Sequence, residues 1–255
     1  MVVTSAVPGP RDDDAAVAAP LRLVAVTHGA PSGANREAIM RLVDGVASAR
    51  PELDVAISFV DARDGDLAVD LVSGDGPAPV IVPLVLSAGF HVRTGLSLGL
   101  QRIGADAGLA EALGPDDRIV EVLAGRLARA GLERDDAVVL AAAGSNDPRA
   151  VRECFETARR LGLKLGRSVT VGFIAAAIPR LPDAIEMIRE VHPGERIAVA
   201  PYLLAPGAFS DAAAASGAEL VADPLLLPGE PAPAELVALV LDRYREAEAE
   251  RRVAV

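Results

Sequence analysis

Two histidines and an aspartate in the first half of the chain each follow a short apolar run. His28 comes at the end of LRLVAVTH, Asp61 follows VAISFV, and His91 closes VPLVLSAGFH. Because the carboxyl ends of parallel strands meet at one edge of a sheet, we expect these three side chains to lie together. Two imidazoles and a carboxylate suit a borderline divalent metal and leave coordination positions open. The spacing therefore predicts a metal site, and hydrogen-bonded structural histidines are the alternative.

The second half of the chain repeats the first, with the candidate ligands replaced. The repeat matches LVAVTHGA with VVLAAAGS, VAISFVD with VTVGFIA, VPLVLSAGFH with APYLLAPGAF, and IVEVLAGR with LVALVLDR. A period of about half the chain indicates two tandem, similar domains. The apolar frame is kept while all three ligand positions change together, which favours their use as one set. The aligned pairs are His28 with Ala143, Asp61 with Ala175, and His91 with Phe209.

Short β-branched runs alternate with helical patterns, which is typical of parallel sheets flanked by helices. The fold class predicted is α/β, with two similar open parallel-sheet sandwich domains in tandem and an active-site cleft between them. We expect a disordered leader over 1–19, a first domain over 20–132 that carries the metal site, and a degenerate second domain over 136–250. The predicted strands are 21–26, 55–60, 80–86, 138–142, 169–174, 197–204 and 219–222. The predicted helices are 35–48, 67–72, 119–130, 149–161, 182–191 and 234–249.

Composition limits the classes of partner. A net charge of −11 over 255 residues argues against nucleic acid, which needs a basic face. A small ligand with its own carboxylates would need a local basic rim. Arg36, Arg63 and Arg93 are the candidates for that rim, and ordinary solvated charge is the alternative for each.

Cysteine usage and hydropathy bear on the compartment. The single cysteine, Cys154, predicts a buried inert thiol and a reducing, cytoplasmic environment. No apolar run reaches the roughly 20 residues of a membrane-spanning helix, so no membrane partner is expected.

Other catalytic chemistries have little support. Ser32, Ser87 and Ser97 lie near the histidines, but the sequence has no GxSxG elbow of a hydrolase. The nucleotide-binding patterns GxGxxG and GxxxxGK[ST] are also absent from the sequence.

The motifs THGA, SFVDARDGDL and VPLVLSAGFHVRTGL resemble those of the class II tetrapyrrole chelatases, specifically the sirohydrochlorin chelatases in their tandem two-domain form. The resemblance covers the chain from about Leu21 to the last helix. It implies insertion of Fe²⁺, Co²⁺ or Ni²⁺ into sirohydrochlorin, with the metal as substrate and no organic cofactor. His28 and His91 match the motif histidines, and Asp61 falls where the family usually has Glu.

Two departures from the family pattern stand out: Pro31 follows HGA where HGS and Arg are usual, and Thr94 to Leu96 replace Asp-Ile-Pro.

The resemblance also implies a binding surface for the tetrapyrrole. We expect Leu86 and Phe90 to form an apolar wall, and Phe209 to fill the core of the second domain, with a flat ligand-facing surface as the alternative. The residues implied around the substrate are Gly29, Ala30, Ser87, Ala88, Gly89, Phe90 and Arg93.

The function expected is therefore a sirohydrochlorin chelatase of siroheme or cobalamin-type biosynthesis, with iron as first choice. A non-catalytic carrier of tetrapyrrole or metal is the alternative. A two-domain periplasmic receptor is disfavoured because the first residues lack an export signal. Duplication within one chain predicts a monomer.

Overall fold

Two four-stranded parallel sheets form the framework of the protein. The computed structural model describes residues 22–28, 32–60, 79–87 and 107–254, and the elements are numbered within those ranges. The first sheet has the order β2-β1-β3-β4 and the second the order β6-β5-β7-β8. The strands are β1 (Arg22–His28), β2 (Asp54–Val60), β3 (Val80–Pro83), β4 (Gly108–Leu109), β5 (Ala137–Ala142), β6 (Val169–Phe173), β7 (Ile197–Tyr202) and β8 (Leu220–Val221).

Helices connect and cover these strands. They are α1 (Gly33–Ala49), α2 (Asp117–Ala130), α3 (Pro148–Leu165), α4 (Leu181–Val191), α5 (Ala208–Ala214) and α6 (Ala234–Ala254). Side-chain caps fix several helix starts: Ser32, Asp116 and Asp147 each accept a hydrogen bond from a backbone N–H in the first turn. Two parallel-sheet α/β units in tandem were predicted, and the structure confirms them.

Differences from the predicted elements are local. Helix α5 was not expected, because AFSDAAA is short and has no apolar period. Its alanines favour helix, and the Gly207 N–H donates to Ser210 Oγ at 2.8 Å at its start. Strand β3 ends at Pro83 rather than at 86, and β7 ends at Tyr202 rather than at 204. The predicted helix over 67–72 lies outside the described residues.

Helices α2 and α6 are exchanged between the two halves. Helix α2 follows the first sheet along the chain, but it packs against β7, β8 and α3 of the second. Helix α6 follows the second sheet, but it packs against α1, β3 and β4 of the first. The sequence repeat gives no sign of this exchange, and the helix packing crosses the predicted boundary between 132 and 136.

Equivalent arginines attach the exchanged helices to the sheets that they cover. Arg126 of α2 and Arg243 of α6 are aligned by the repeat. Arg126 donates to the Leu225 carbonyl oxygen at 2.9 Å. Arg243 donates to the carbonyl oxygens of Ala112 at 2.8 Å and Leu113 at 3.2 Å. Each guanidinium thus donates hydrogen bonds to backbone carbonyl oxygens just after the fourth strand of the opposite half.

One apolar core joins the two halves. It runs from the inner face of the first sheet, which includes Leu23 and Val82, through α1, α2 and α6 to Leu140 on the inner face of the second. Helix α6 approaches α1 so closely that a Cβ at Gly45 would lie 2.8 Å from Val237 Cγ2. A second cluster covers the outer face of the second sheet beneath α4 and α5.

The segment between the halves, 133–136, is a tightly bonded turn. Asp136 is 6% exposed and accepts two hydrogen bonds from Arg196, at 2.8 and 2.7 Å. The Arg196 guanidinium holds the pKa of the Asp136 carboxyl below its ordinary value. Arg167 donates to the carbonyl oxygens of Glu133 and Asp136. This segment is therefore fixed by side chains on both sides.

In the ranges that the structure describes, no helix combines the length and the apolar composition that crossing a membrane requires.

Replacement of Arg126 by Met tests the helix attachment. Arg126 is 4% exposed, so its loss leaves a buried carbonyl oxygen without its donor. We expect the free energy of unfolding to fall by about 1–3 kcal/mol in urea denaturation. Arg129→Met is the matched control, because Arg129 also pairs with Glu230 but is 62% exposed; its loss should cost less than about 1 kcal/mol. Equal costs for the two variants would contradict the assignment.

Candidate active site at the strand ends

The first three strand ends of the first sheet lie side by side. His28, the last residue of β1, is paired in register with Val60, the last residue of β2. On the other side of β1, Val26 pairs with Pro83, the last residue of β3. Strand β1 is therefore central, and Asp61 follows Val60 directly along the chain. The backbone brings His28 and Val60, the residue before the predicted ligand Asp61, to one edge of the sheet.

The side chains of the predicted ligand set are not described. The backbone of His28 is described and its side chain is not, while Asp61 and His91 lie entirely outside the described residues. Within the described ranges, no three His, Cys, Asp or Glu side chains converge on a point where they could hold a metal ion. The metal ligands thus stay a prediction. The same holds for Gly29, Ala30, Ala88, Gly89, Phe90 and for the rim candidates Arg63 and Arg93.

Two residues expected at the substrate surface are described. Ser87 is partly buried at the end of the described segment. Leu86 is 9% exposed and packs in the core, and its carbonyl oxygen accepts a hydrogen bond from Tyr202 at 2.8 Å. The expectation that Leu86 lines an open apolar wall is wrong, because its side chain is used for packing.

In the second half of the chain, which is the second copy of the repeat, the residues that follow β5 and β6 are in hydrogen-bond contact. Ala143 and Ala175 are the counterparts of His28 and Asp61, and the Ala175 N–H donates to the Ala143 carbonyl oxygen at 2.9 Å. Gly144, the counterpart of Gly29, has φ 93°, and a Cβ there would lie 1.8 Å from the Ala175 carbonyl oxygen. Glycine is required at this contact. With alanine at both positions, the second copy has no side-chain donor there.

Apolar side chains are exposed at the same edge of the second sheet. Phe209, the counterpart of His91, lies in the first turn of α5 and is 47% exposed. The expectation that Phe209 fills the core is therefore wrong. Ile178, in the loop between β6 and α4, is 81% exposed. These side chains offer an apolar surface where the first half has its predicted ligands.

The strand-end loops of the two halves touch each other. Asn35, in the first turn of α1, donates from Nδ2 to the Pro206 carbonyl oxygen at 2.8 Å. Tyr202, at the end of β7, bonds the Leu86 carbonyl of the first half. Burial raises the pKa of Tyr202, which keeps the phenol protonated as a donor. No sequence signal marked Asn35 or Tyr202 for these contacts.

One cation of the expected basic rim is described. The Arg36 guanidinium stands over the Phe59 ring at 4.4 Å from its centroid, and the Arg36 side chain is exposed. Phe59 lies in β2, two residues before Asp61. Arg36 is therefore held at the edge where β1 and β2 end.

Other candidate groups have structural roles. Ser32 caps α1 by accepting from the Asn35 N–H at 3.2 Å. Cys154 is buried, as predicted, and burial raises the pKa of its thiol to about 12. His192 ends α4, where its N–H donates to the Ile188 carbonyl at 2.8 Å. None of these three observations indicates a catalytic role.

Comparison with known proteins assigns the family. The family model CbiX matches residues 22–130 and 137–213, which is more than half of the chain and includes both repeats. No curated protein matches by sequence.

Solved structures agree on the fold. SirB from Bacillus subtilis with Fe³⁺ superposes with a TM-score of 0.69 at 21% identity, over 91% of this chain and 97% of that one. CbiX, described as the terminal enzyme of siroheme biosynthesis in denitrifying bacteria, gives 0.62 at 20% identity, over 89% and 99%. A multi-domain protein from Deinococcus radiodurans with structural similarity to chelatases gives 0.59 at 18% identity, over 89% of this chain and 55% of that one.

The family match over both repeats and the shared fold confirm the resemblance seen in the motifs: the chain belongs to the CbiX family and has the tandem, two-domain chelatase fold.

Proposed function

We propose that the protein is a sirohydrochlorin chelatase, with Fe²⁺ as the first choice of metal and Co²⁺ or Ni²⁺ as alternatives. The observation that carries this proposal is the pairing of the β1 and β2 ends, where His28 lies in register with Val60, the residue before Asp61. The family match and the similarity to SirB and CbiX support the same reaction class. The metal is a substrate here, and no organic cofactor is proposed.

The second copy supports the ligand arrangement. Its counterpart positions, 143 and 175, are joined by one backbone hydrogen bond, and Gly144 permits that contact. A conserved frame in the first copy would hold the His28 and Asp61 backbones equally close. His91 would approach from the segment that follows β3, as Phe209 follows β7. Three donors from three strand ends then bind one ion and leave positions open for the tetrapyrrole nitrogens.

Insertion of a metal ion into the ring requires groups that accept the released protons. A divalent ion that enters a tetrapyrrole replaces two pyrrolic N–H protons and must lose its water ligands. We propose that His28 and His91 bind the ion, and that one of them accepts a proton, a role suited to imidazole near neutral pH. Asp61 accepts the second proton or completes the metal's ligands. The shorter Asp, where the family usually has Glu, affects metal preference more than the fold.

The second half supplies the surface that holds the ring. A tetrapyrrole is flat and apolar on its faces, and Phe209 and Ile178 are exposed at the edge of the second sheet. The contacts of Asn35 with Pro206 and of Tyr202 with Leu86 bring the two edges together. We propose that the ring lies between them, one face toward the ligands and the other toward Phe209.

A carrier that binds tetrapyrrole or metal without turnover is the alternative function. Absorption spectra of sirohydrochlorin mixed with Fe²⁺, Co²⁺ or Ni²⁺ separate the two cases. An enzyme accelerates metallation over the spontaneous rate at catalytic concentration, whereas a carrier shifts the spectrum in proportion to protein and does not turn over. The single chain is proposed to act as a monomer in the cytoplasm, on the grounds given by the sequence.

Replacement of both ligand histidines tests the metal site. In His28→Ala/His91→Ala we expect cobalt insertion, followed by absorption, to fall by more than about 100-fold because two of three ligands are lost. Asp61→Ala should cost less. The control is His192→Ala, since the His192 side chain is 52% exposed and pairs with Glu195 away from the strand ends. Full activity in the double variant would refute the assignment.

Replacement of Phe209 tests the ring-binding surface. Phe209→Ala should weaken sirohydrochlorin binding about threefold to tenfold, because one aromatic contact is lost. Phe155→Ala is the matched control: Phe155 is also 47% exposed, but it lies on α3 against Phe173. Fluorescence titration measures both. An equal loss in the two variants would show that Phe209 has no specific part in binding.

A further inference from the structure

Arg36 occupies the point where the two halves meet. It lies in the first turn of α1, the helix that follows the His28 strand, and its neighbour Asn35 bonds the Pro206 carbonyl of the second half at 2.8 Å. The paired ends of β1 and β2 lie on the first-half side of this junction, and the exposed Phe209, three residues after Pro206, lies on the second-half side. A cation here can reach a molecule bound between the two edges.

The Phe59 ring fixes the direction of the Arg36 guanidinium. The guanidinium carbon stands 4.4 Å from the ring centroid. Phe59 is itself anchored in β2, in register with Thr27 of β1 and partly packed on the core. A stacked guanidinium keeps its N–H edges available while it loses rotational freedom. The stack therefore holds the cation ready for a planar anion at low entropic cost.

The carboxylate next to Arg36 in the sequence has other partners. Glu37, the next residue, accepts from the Gly229 N–H at 3.0 Å and lies 3.7 Å from Arg41. Among the described residues, no ion pair joins Arg36 to a carboxylate, whereas most arginines of the exchanged helices are paired. In a chain with net charge −11, such a cation matters for any anionic ligand.

We propose that Arg36 binds a peripheral carboxylate of the tetrapyrrole and so selects carboxylated rings. This inference rests on the proposed function. Sirohydrochlorin carries acetate and propionate groups around a flat ring, and a guanidinium binds a carboxylate through two parallel N–H···O bonds. Arg36 is a specificity-determining residue in this scheme: it orients the ring's edge and does not contact the metal.

The test measures binding of sirohydrochlorin and of Co²⁺ alone to the full chain. Arg36→Gln should weaken sirohydrochlorin binding about tenfold or more and leave Co²⁺ affinity unchanged, since a charge-assisted hydrogen-bond pair is lost. Arg36→Lys should recover part of the affinity, because the charge returns without the planar fork. Arg41→Gln is the matched control on the same helix, beyond the junction. Phe59→Leu should weaken binding, and adding Arg36→Gln to it should cost less than in the wild type.

The outcomes separate this inference from the proposed function. Unchanged sirohydrochlorin affinity in Arg36→Gln, in a wild type that metallates the ring, overturns the role of Arg36 alone. An equal loss in Arg41→Gln overturns it too, because the effect is then general electrostatics. A fall in Co²⁺ affinity would overturn it as well, because the substitution would then have disturbed the metal site instead of a contact with the ring. A wild-type chain that neither binds nor metallates sirohydrochlorin overturns both proposals.

Discussion

Helices α2 and α6 each cover the sheet of the opposite half, and the position of the candidate site depends on this exchange. A sheet must bury its apolar face against another layer. Here that layer comes from the other repeat, so neither half completes its core alone. Arg126 and Arg243 attach the two helices to the chain beyond β8 and β4. The exchange thereby holds the two carboxyl edges in contact, where Tyr202 meets Leu86 and Asn35 meets Pro206.

The two copies share a frame but differ in chemistry. The frame places the first and second strand ends in direct contact, as the Ala175–Ala143 hydrogen bond shows. In the first copy these positions carry His28 and Asp61, and in the second they carry alanine. The change of His91 to Phe209 replaces a donor with an exposed ring. Under the proposed function, the first half binds the ion and the second half binds a flat apolar face.

The sequence predicted most of the fold because strands and helices here have clear apolar periods. It predicted β1, β2 and the ends at His28 and Val60 within a few residues. It did not reveal the exchange of the two helices, because the apolar pattern of α2 is the same whether the helix covers the first sheet or the second. Phe209 was expected in the core because hydrophobicity alone does not distinguish a buried side chain from an exposed one. Helix α5 was not predicted because its sequence has no apolar period. Convergence of the three ligands stays a prediction, because their side chains lie outside the described residues.

The turn at 133–136 has a consequence for how a ligand enters. Many two-domain binding proteins open by rotating their lobes about a loose connecting segment. Here Arg196 and Arg167 clamp that segment through Asp136 and Glu133, and two helices cross between the lobes. Rotation of the halves about this segment would have to break these hydrogen bonds. Under the proposed function, a large planar ligand therefore enters by local rearrangement of the backbone and side chains at the strand ends.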